Sequence, residues 1–349
     1  MRLPSRGMTL IEIMVSMGIL VVVVAMTMTL AVQGMNVSRR GKELSDANEA
    51  ARVGGDAIMN ALQSAGLGMS GGLYISHAGV VVRTSPIIIV NSTTGPDELW
   101  VVRTHRSALL ESCVDTGAAT TVQRAGFGAL YVRCSVGLTG TQLSGRGLTA
   151  AQTLLLATNM SSGALLSAPV FTPSAPGVSL AYAESAVANF ADDPRRGFNK
   201  GDLVMPAKVE HYFIGVSNGQ PALMMEAGTI GTLPAAFDPI GGAIPIQLGV
   251  EDMQFAVGIE TTPFTGDPTR IAWSNGVGPG YVAGMRAIRM SLMTRTLRTV
   301  LATNGSVVLT TDTAPQSLED RIVALPPDGF RRTLYSRRVD LVNMAAENL

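Results

Sequence analysis

The chain has 349 residues, enough for one large domain or two smaller ones, and is 46% hydrophobic but only 15% charged. Lys+Arg and Asp+Glu number 26 each, so the formal net charge is zero and composition lends nucleic-acid binding no support. Much of the apolar excess lies near the N-terminus, and the remainder is rich in Gly, Ser, Thr and Val, the make-up of a β-rich extracytoplasmic domain.

The chain opens with MRLPSRG, followed by MTLIEIMVSMGILVVVVAMTMTLAVQGMNVS and then RRGK. After Glu12 no charged residue occurs until Arg39. The uncharged run Ile13 to Ser38 would span about 39 Å as a helix at ~1.5 Å per residue, more than a bilayer core of roughly 30 Å. A secretory signal has a shorter apolar region and a small-residue cleavage site. A plain signal anchor would account for the length but not for Glu12, because an ionisable group at membrane depth is costly without a partner.

The short basic leader ending in Gly7, then Met8 and Thr9-Leu10-Ile11-Glu12 ahead of an apolar helix, resembles the class III signal of type IV pilins and pseudopilins. The family most often has phenylalanine where Met8 stands here. The resemblance implies cleavage by prepilin peptidase between Gly7 and Met8 and N-methylation of the new Met8 amine. Gly7 suits that step because a residue without a side chain lets a peptidase approach the scissile bond closely. Glu12, a carboxylate in an apolar bundle, needs a counter-charge, and the freed Met8 ammonium of the same or a neighbouring subunit can supply one.

From Gly41 to Gly66 the pattern turns amphipathic, with Leu44, Ala47, Ala51, Ile58, Leu62 and Ala65 at three- and four-residue steps. Gly54-Gly55 predicts a bend or a close packing contact, and Gly66, Gly68 and Gly71-Gly72 predict the helix end. The expected organisation is a leader at 1–7, a membrane half of the helix at 8–38, a periplasmic half at 39–67 and a β-rich head at 68–349.

Past Gly72 the period changes to that of strands: Val80–Arg83, Ile87–Val90, Leu99–Thr104, Leu130–Arg133, Thr153–Ala157, Leu203–Met205, Val209–Val216, Met253–Ile259, Arg286–Arg295, Ser306–Leu309 and Thr333–Val342. Asn218-Gly219 predicts a tight hairpin turn. The segments 137–147 and 261–284 read as Gly/Pro-rich loops. The fold class expected is α+β, a long N-terminal helix packed on an antiparallel β-rich head.

The segments IQLGVEDMQFAVGIE, GMRAIRMSLMTRT and FRRTLYSRRVDLVNM, in that order after HYFIGVSNGQPALMME, resemble the PilW-like minor pilins, as does QSAGLGMSGG near the helix end. That resemblance implies a role in priming type IV pilus assembly, at the pilus tip. The implied partners are other minor pilins, the major pilin, prepilin peptidase and the inner-membrane assembly machinery, with lipid around the helix. The implied location is the inner membrane with a periplasmic head, followed by the pilus. A type II secretion pseudopilin shares this build, and an adhesin binding a surface or calcium through loop 261–284 is the reading from another class.

Cys113 and Cys134 are the two cysteines; in a chain that leaves the cytoplasm they form a disulfide, or else stay as two buried thiols. His77, His105 and His211 have no metal-ligand spacing, and no G-x-S-x-G or Walker A motif occurs. Glu251-Asp252, adjacent in a strand, would point to opposite faces, and Asp192-Asp193 reads as a solvated turn. No catalytic residue, metal or cofactor is expected. Mass analysis of the mature protein should find its N-terminus at Met8, and Gly7→Asp should leave the leader attached; a Met1 start in the wild type would overturn the cleavage assignment.

Overall fold

In the computed structural model Leu10–Ser64 is one continuous helix, α1. The structure describes residues 9–69, 72–77, 80–104, 110–111, 129–132, 154–158, 163–166, 170–174, 177–181, 203–230, 237–239, 242–260, 271–275, 280–299, 316–319, 321–323 and 328–344. No proline occurs between Pro4 and Pro86, so nothing removes a donor from the helical ladder. Thr9 is the extended N-cap, and Glu12 stands at the third helical position of a Thr-x-x-Glu capping box. The helix ends at Ser64, short of the boundary expected at 67. Ala65 is already extended, and Gly66 and Gly68 both take φ of +74°, which turns the chain off the helix axis.

Past Ser38 the helix has one buried stripe: Ala47, Ala50, Ala51, Gly54, Gly55, Ile58, Ala61 and Leu62. Leu44, expected on that stripe, is 36% exposed because the head covers the helix only from Ala47 onward. Gly54-Gly55 is a packing contact and not a bend. A methyl group on Gly55 would lie 2.5 Å from Tyr335 Cε1, and one on Gly54 3.4 Å from Leu223 Cδ2. The stripe of small residues lets the helix backbone lie close against the head. Ile58 and Leu62, both fully buried, each contribute about 1.5–3 kcal/mol of apolar burial.

The head is built from strands β1 (Leu73–His77), β2 (Val80–Thr84), β3 (Ile87–Val90), β4 (Glu98–Thr104), β5 (Leu110–Glu111), β6 (Ala129–Val132), β7 (Leu154–Thr158), β8 (Gly163–Leu166), β9 (Val170–Ser174) and β10 (Gly177–Ala181). It continues with β11 (Leu203–Ser217), β12 (Gln220–Ile230), β13 (Phe237–Pro239), β14 (Ile244–Leu248), β15 (Val250–Glu260), β16 (Ile271–Ser274), β17 (Met285–Arg295), β18 (Gln316–Leu318), β19 (Arg321–Val323) and β20 (Arg332–Asp340). The largest sheet is organised on β11. One of its sides is paired by β7 and then β12, the other by β5 and then β4. A second sheet has the order β16-β15-β17-β20; β6-β10-β9 and β18-β19 are smaller units. Pairing is antiparallel except for β1 with β8, where Leu73 and Tyr74 run parallel to Gly163 and Ala164.

Four details differ from the sequence expectation. Leu203–Met205 and Val209–Val216 form the single strand β11, which runs through Pro206. That proline pairs with Leu155 of β7 on one side and on the other lies in the gap between the last residue paired to β4, Ala207, and the first paired to β5, Val204. The last strand stops at Asp340, and residues 342–344 coil into a short 3₁₀ turn. The segment 261–284 contains a strand, β16, whose Trp273 packs over Gly258 of β15. The small strands β1, β5, β8–β10, β13, β14, β18 and β19 were not marked by any periodicity long enough to read. Asn218-Gly219 does close the β11–β12 hairpin, with φ of 51° and 72°.

The main core lies between α1 and the two large sheets, with Ile58, Leu62, Leu99, Val101, Leu223, Phe255, Ile288 and Leu292 among its buried members. A second core, including Met69, Leu73, Trp100, Leu165, Met205 and Val209, lies on the other face of the β11 sheet. The head also has a direction. Thr294 donates to the Ala47 carbonyl where the covered half of α1 begins, and Arg103 donates to Ser64 at its far end. β11 pairs with Arg103 through Lys208 and continues five residues further, roughly 15 Å along the strand. The segment 105–202, inserted between β4 and β11, therefore joins the sheet at the end of the head farthest from the apolar half of α1.

Gly54 and Gly55 give a paired test. Gly55→Ala should lower stability by about 1–3 kcal/mol through overpacking against Tyr335, while Gly54→Ala should be neutral or stabilising through helix propensity. Thermal denaturation of the detergent-solubilised proteins measures both.

Candidate assembly site

Two features could carry function: the uncovered half of α1 and the brace that holds its other half to the head. Along the first, large apolar side chains are exposed from Leu10 (77%) and Ile11 (73%) through Met26 (63%) and Leu30 (66%) to Val37 (68%). An 18-residue window of this half has a mean hydropathy of 2.5, and none of it is buried within the chain. The hydroxyls in this stretch do not break its apolar surface. Ser16 donates to the Glu12 carbonyl at 2.8 Å, Thr27 to Val23 at 3.0 Å and Thr29 to Ala25 at 2.9 Å, so each is satisfied by its own helix. Burying this many Leu, Ile, Val and Met side chains in lipid or against other helices is worth on the order of tens of kcal/mol in total.

Glu12 is the one ionisable residue of this half. Its Oε2 accepts from the Thr9 backbone N–H at 3.4 Å and lies 3.5 Å from the Thr9 hydroxyl, which completes the first helical turn. Gly7 and Met8 lie outside the described residues, as do Cys113, Cys134, His105, Asp192-Asp193, segments 137–147 and 306–309, and residues 261–270 and 276–279 of the long loop.

The brace begins at the far end of α1. Arg103 donates from Nε to Ser64 Oγ at 2.7 Å and from Nη1 to both oxygens of Glu210 at 2.9 and 3.0 Å. The Tyr212 hydroxyl donates to the same carboxylate at 2.8 Å, and burial first, then the Glu210 charge, pushes its pKa up. Asn343 donates from Nδ2 to the carbonyls of Gln63 and Ala65 at 2.9 and 3.1 Å, capping helix-end groups that have no partner in the helix itself.

VEDMQ, residues 250–254, is the centre of the brace. The register of β15 against β17 shifts between Val250 and Asp252, so Glu251 is the extra residue of a bulge. Glu251 accepts from Arg295 at 3.0 Å and from Arg332 at 2.6 Å, joining β15, β17 and β20. Arg332 also donates to Asp328 at 2.6 Å. Burial opposes the charge of Arg332, yet the bonds to Asp328 and Glu251 hold its pKa above the ordinary value; the same Arg332 bond holds Asp328 below the usual carboxylate range. Asp252 is buried and accepts from Arg321 at 2.6 Å, from Gln254 at 3.0 Å and from the Met253 N–H at 2.8 Å. Burial raises its pKa against those bonds. Asp97 accepts from the backbone of Ser92 and Phe255 at 2.8 and 2.9 Å, fastening the β3–β4 turn to β15. Glu251 and Asp252 thus reach different arginines and do not form an acid/base pair.

His211 is the other residue whose setting the sequence did not reveal. Its ring stacks on Trp100 at 3.9 Å, and its two nitrogens face Glu226 at 2.7 Å and Glu98 at 3.1 Å. The group therefore joins β4, β11 and β12 through ring stacking and side-chain hydrogen bonds. The His211 bond holds Glu98 below its ordinary pKa despite partial burial. Among the described residues no group of three or more His, Cys, Asp or Glu side chains is placed to hold a metal ion.

A long helix with an uncovered apolar half and a second half braced on an antiparallel β head defines a pilin-like protein. A family model described as "Prokaryotic N-terminal methylation motif" matches residues 2–28, and one described as "Type IV Pilus-assembly protein W" matches residues 211–343. The chain is thus similar to a pilus-assembly family over residues 211–343 and to the prepilin methylation motif over residues 2–28, which supports a type IV pilin role and is consistent with anchoring by the apolar helix. No curated protein matches the chain. Among solved structures a type IV-like pilin from Thermus thermophilus aligns at 13% identity over 56% of this chain and 87% of that one, with a TM-score of 0.22. The matched pilus-assembly segment begins at His211 and contains VEDMQ and Asn343, so most of the brace falls inside it.

Glu251→Ala should destabilise the head by about 3–5 kcal/mol, because Arg295 and Arg332 lose their shared carboxylate in a part-buried site. Asp340→Ala, which removes only the exposed pair with Arg338, should cost less than about 1 kcal/mol. Chemical denaturation of the two variants separates them.

Proposed function

We propose that this protein is a minor pilin that helps prime assembly of the type IV pilus and sits at the pilus tip with other minor pilins. It acts structurally and not as an enzyme. In this reading prepilin peptidase cuts between Gly7 and Met8, the Met8 amine is methylated, and the subunit waits in the inner membrane with its head in the periplasm. The uncovered half of α1 is its lateral packing surface towards other minor pilins and the major pilin. Glu12 pairs with the Met8 ammonium of its own or a neighbouring chain during joining, and its present bonds to Thr9 are long enough to be exchanged for an ion pair at small cost.

The observation that supports the tip position is where the chain between β4 and β11 meets the sheet. It joins the sheet beyond the far end of α1, in the direction away from the membrane. In a stack of subunits that direction is occupied by the next head, so added bulk there is accommodated best at the free end. The Arg103–Ser64 and Asn343–Gln63 bonds fix head to helix, so the position of the helix in the fibre sets the position of the head.

Glu12→Ala should leave the protein membrane-bound but reduce its recovery in sheared pili several-fold; full incorporation would show that charge pairing is dispensable. Deletion of the gene should reduce surface pili and blocking retraction should restore them in part. Normal piliation with a defect in protein secretion would replace this reading with a secretion pseudopilin.

A further inference from the structure

A cleft of about 790 Å³ lies where α1 leaves its apolar run, between the helix and the membrane-facing end of the head. Arg39 and Lys42 line it from the helix, and Leu248, Leu297 and Arg298 line it from the head. We propose that this cleft binds the headgroup phosphate of an anionic phospholipid in the leaflet beneath the head.

The basic residues of the cleft differ in what they already do. Arg39 pairs with Glu43 at 3.1 Å, and Arg295, which also borders the cleft, is held by Glu251 and stacks over Phe330. Lys42 and Arg298 make no ion pair among the described residues, so two cations face the cleft unpaired.

Height along the helix identifies the ligand. Lys42 is four residues past Ser38, roughly 6 Å at ~1.5 Å per residue, comparable with the polar layer of about 5–7 Å on each side of the hydrocarbon core. The apolar run is longer than that core is thick, so helix tilt and side-chain reach bring Arg39 and Lys42 to the phosphates. Of the carboxylates that border the cleft, Glu43 is taken up by Arg39, and Asp46 and Glu49 stand one and two turns beyond Lys42, farther from the apolar run. On the helix, Lys42 is therefore the unpaired charge of the cleft nearest the apolar run. Leu297 beside Arg298 is 46% exposed, and an apolar side chain next to a free guanidinium suits the glycerol–phosphate boundary of a lipid better than a free phosphate ion. Neither the helix surface that packs laterally nor Glu12 is involved.

The proposal rests on the reading of the apolar half of α1 as a membrane span. The test places the full chain, with a photoreactive residue at Leu297, in nanodiscs of phosphatidylcholine with a minor share of phosphatidylglycerol. Cross-linked products are identified by mass spectrometry. Phosphatidylglycerol should be captured about fivefold or more above its share of the bilayer, the discrimination one engaged cation provides. Lys42→Glu with Arg298→Glu should abolish the enrichment, and Lys208→Glu, an exposed charge on the head, should leave it unchanged. Equal enrichment in all variants, capture in proportion to bilayer composition, or cross-links to protein alone would overturn the headgroup site while the span stands. Failure of the chain to enter nanodiscs would overturn the span and this site with it.

Discussion

A single helix has to satisfy two environments, and everything else in the molecule follows from that demand. Up to Ser38 its side chains are large, apolar and uncovered, which suits lipid or other helices. From Ala47 the same helix presents Ala and Gly to the head, so its backbone can lie within contact of Tyr335, Leu223 and Leu292. Large residues in place of Gly54 and Gly55 would hold that part of the helix off the sheets, and small residues on the first half would weaken its apolar surface. The hydroxyls of the first half are turned back on their own carbonyls for the same reason, since lipid offers them no partner.

The brace makes the two halves move as one body. Apolar packing by itself is non-directional, and the Ala/Gly stripe would tolerate sliding. Directional bonds at each end remove that freedom: Thr294 to Ala47 near the membrane, and Arg103 to Ser64 with Asn343 to Gln63 and Ala65 at the far end. Behind them Glu251 and Asp252 tie four strands together through Arg295, Arg332 and Arg321. Charges that have lost much of their water hold a pair together only when the geometry and remaining bonds are complete, which is why these carboxylates each accept more than one bond. A head fixed in this way to a membrane helix can transmit the position of that helix to whatever lies at its distal end.

The β5 and β7 pairings and the cleft beside the apolar half of α1 lie at opposite ends of the head. One is reached by way of β11, whose length carries it past the end of α1; the other exists because the head begins to cover the helix only at Ala47. The exposed Leu44 and the unpaired Lys42 are both consequences of that late start. Between the two ends the sheets are closed by core packing.

The membrane helix was legible from sequence because its signal is local: an uncharged run, a single glutamate at its start and the absence of proline are properties of consecutive residues. The Asn218-Gly219 hairpin and the longer strands were legible for the same reason, since their patterns repeat over neighbouring positions. The Gly54-Gly55 pair announced that something special happens there, but choosing between a bend and a contact required Tyr335, which lies far along the chain. The partners of Glu251, Asp252, His211 and Asn343 were beyond sequence reasoning. Asn343 meets a carbonyl 280 residues away, and Arg332 meets Glu251 across 81. Those pairings depend on strand register and on a one-residue bulge, and register is set by the packing of the whole sheet. The sequence by itself determined that the chain has a prepilin-like start, a helix for lipid and a β-rich head. The tertiary structure decided how that helix is clamped and at which end of the head the chain between β4 and β11 enters the sheet, because both depend on contacts between residues that only folding brings together.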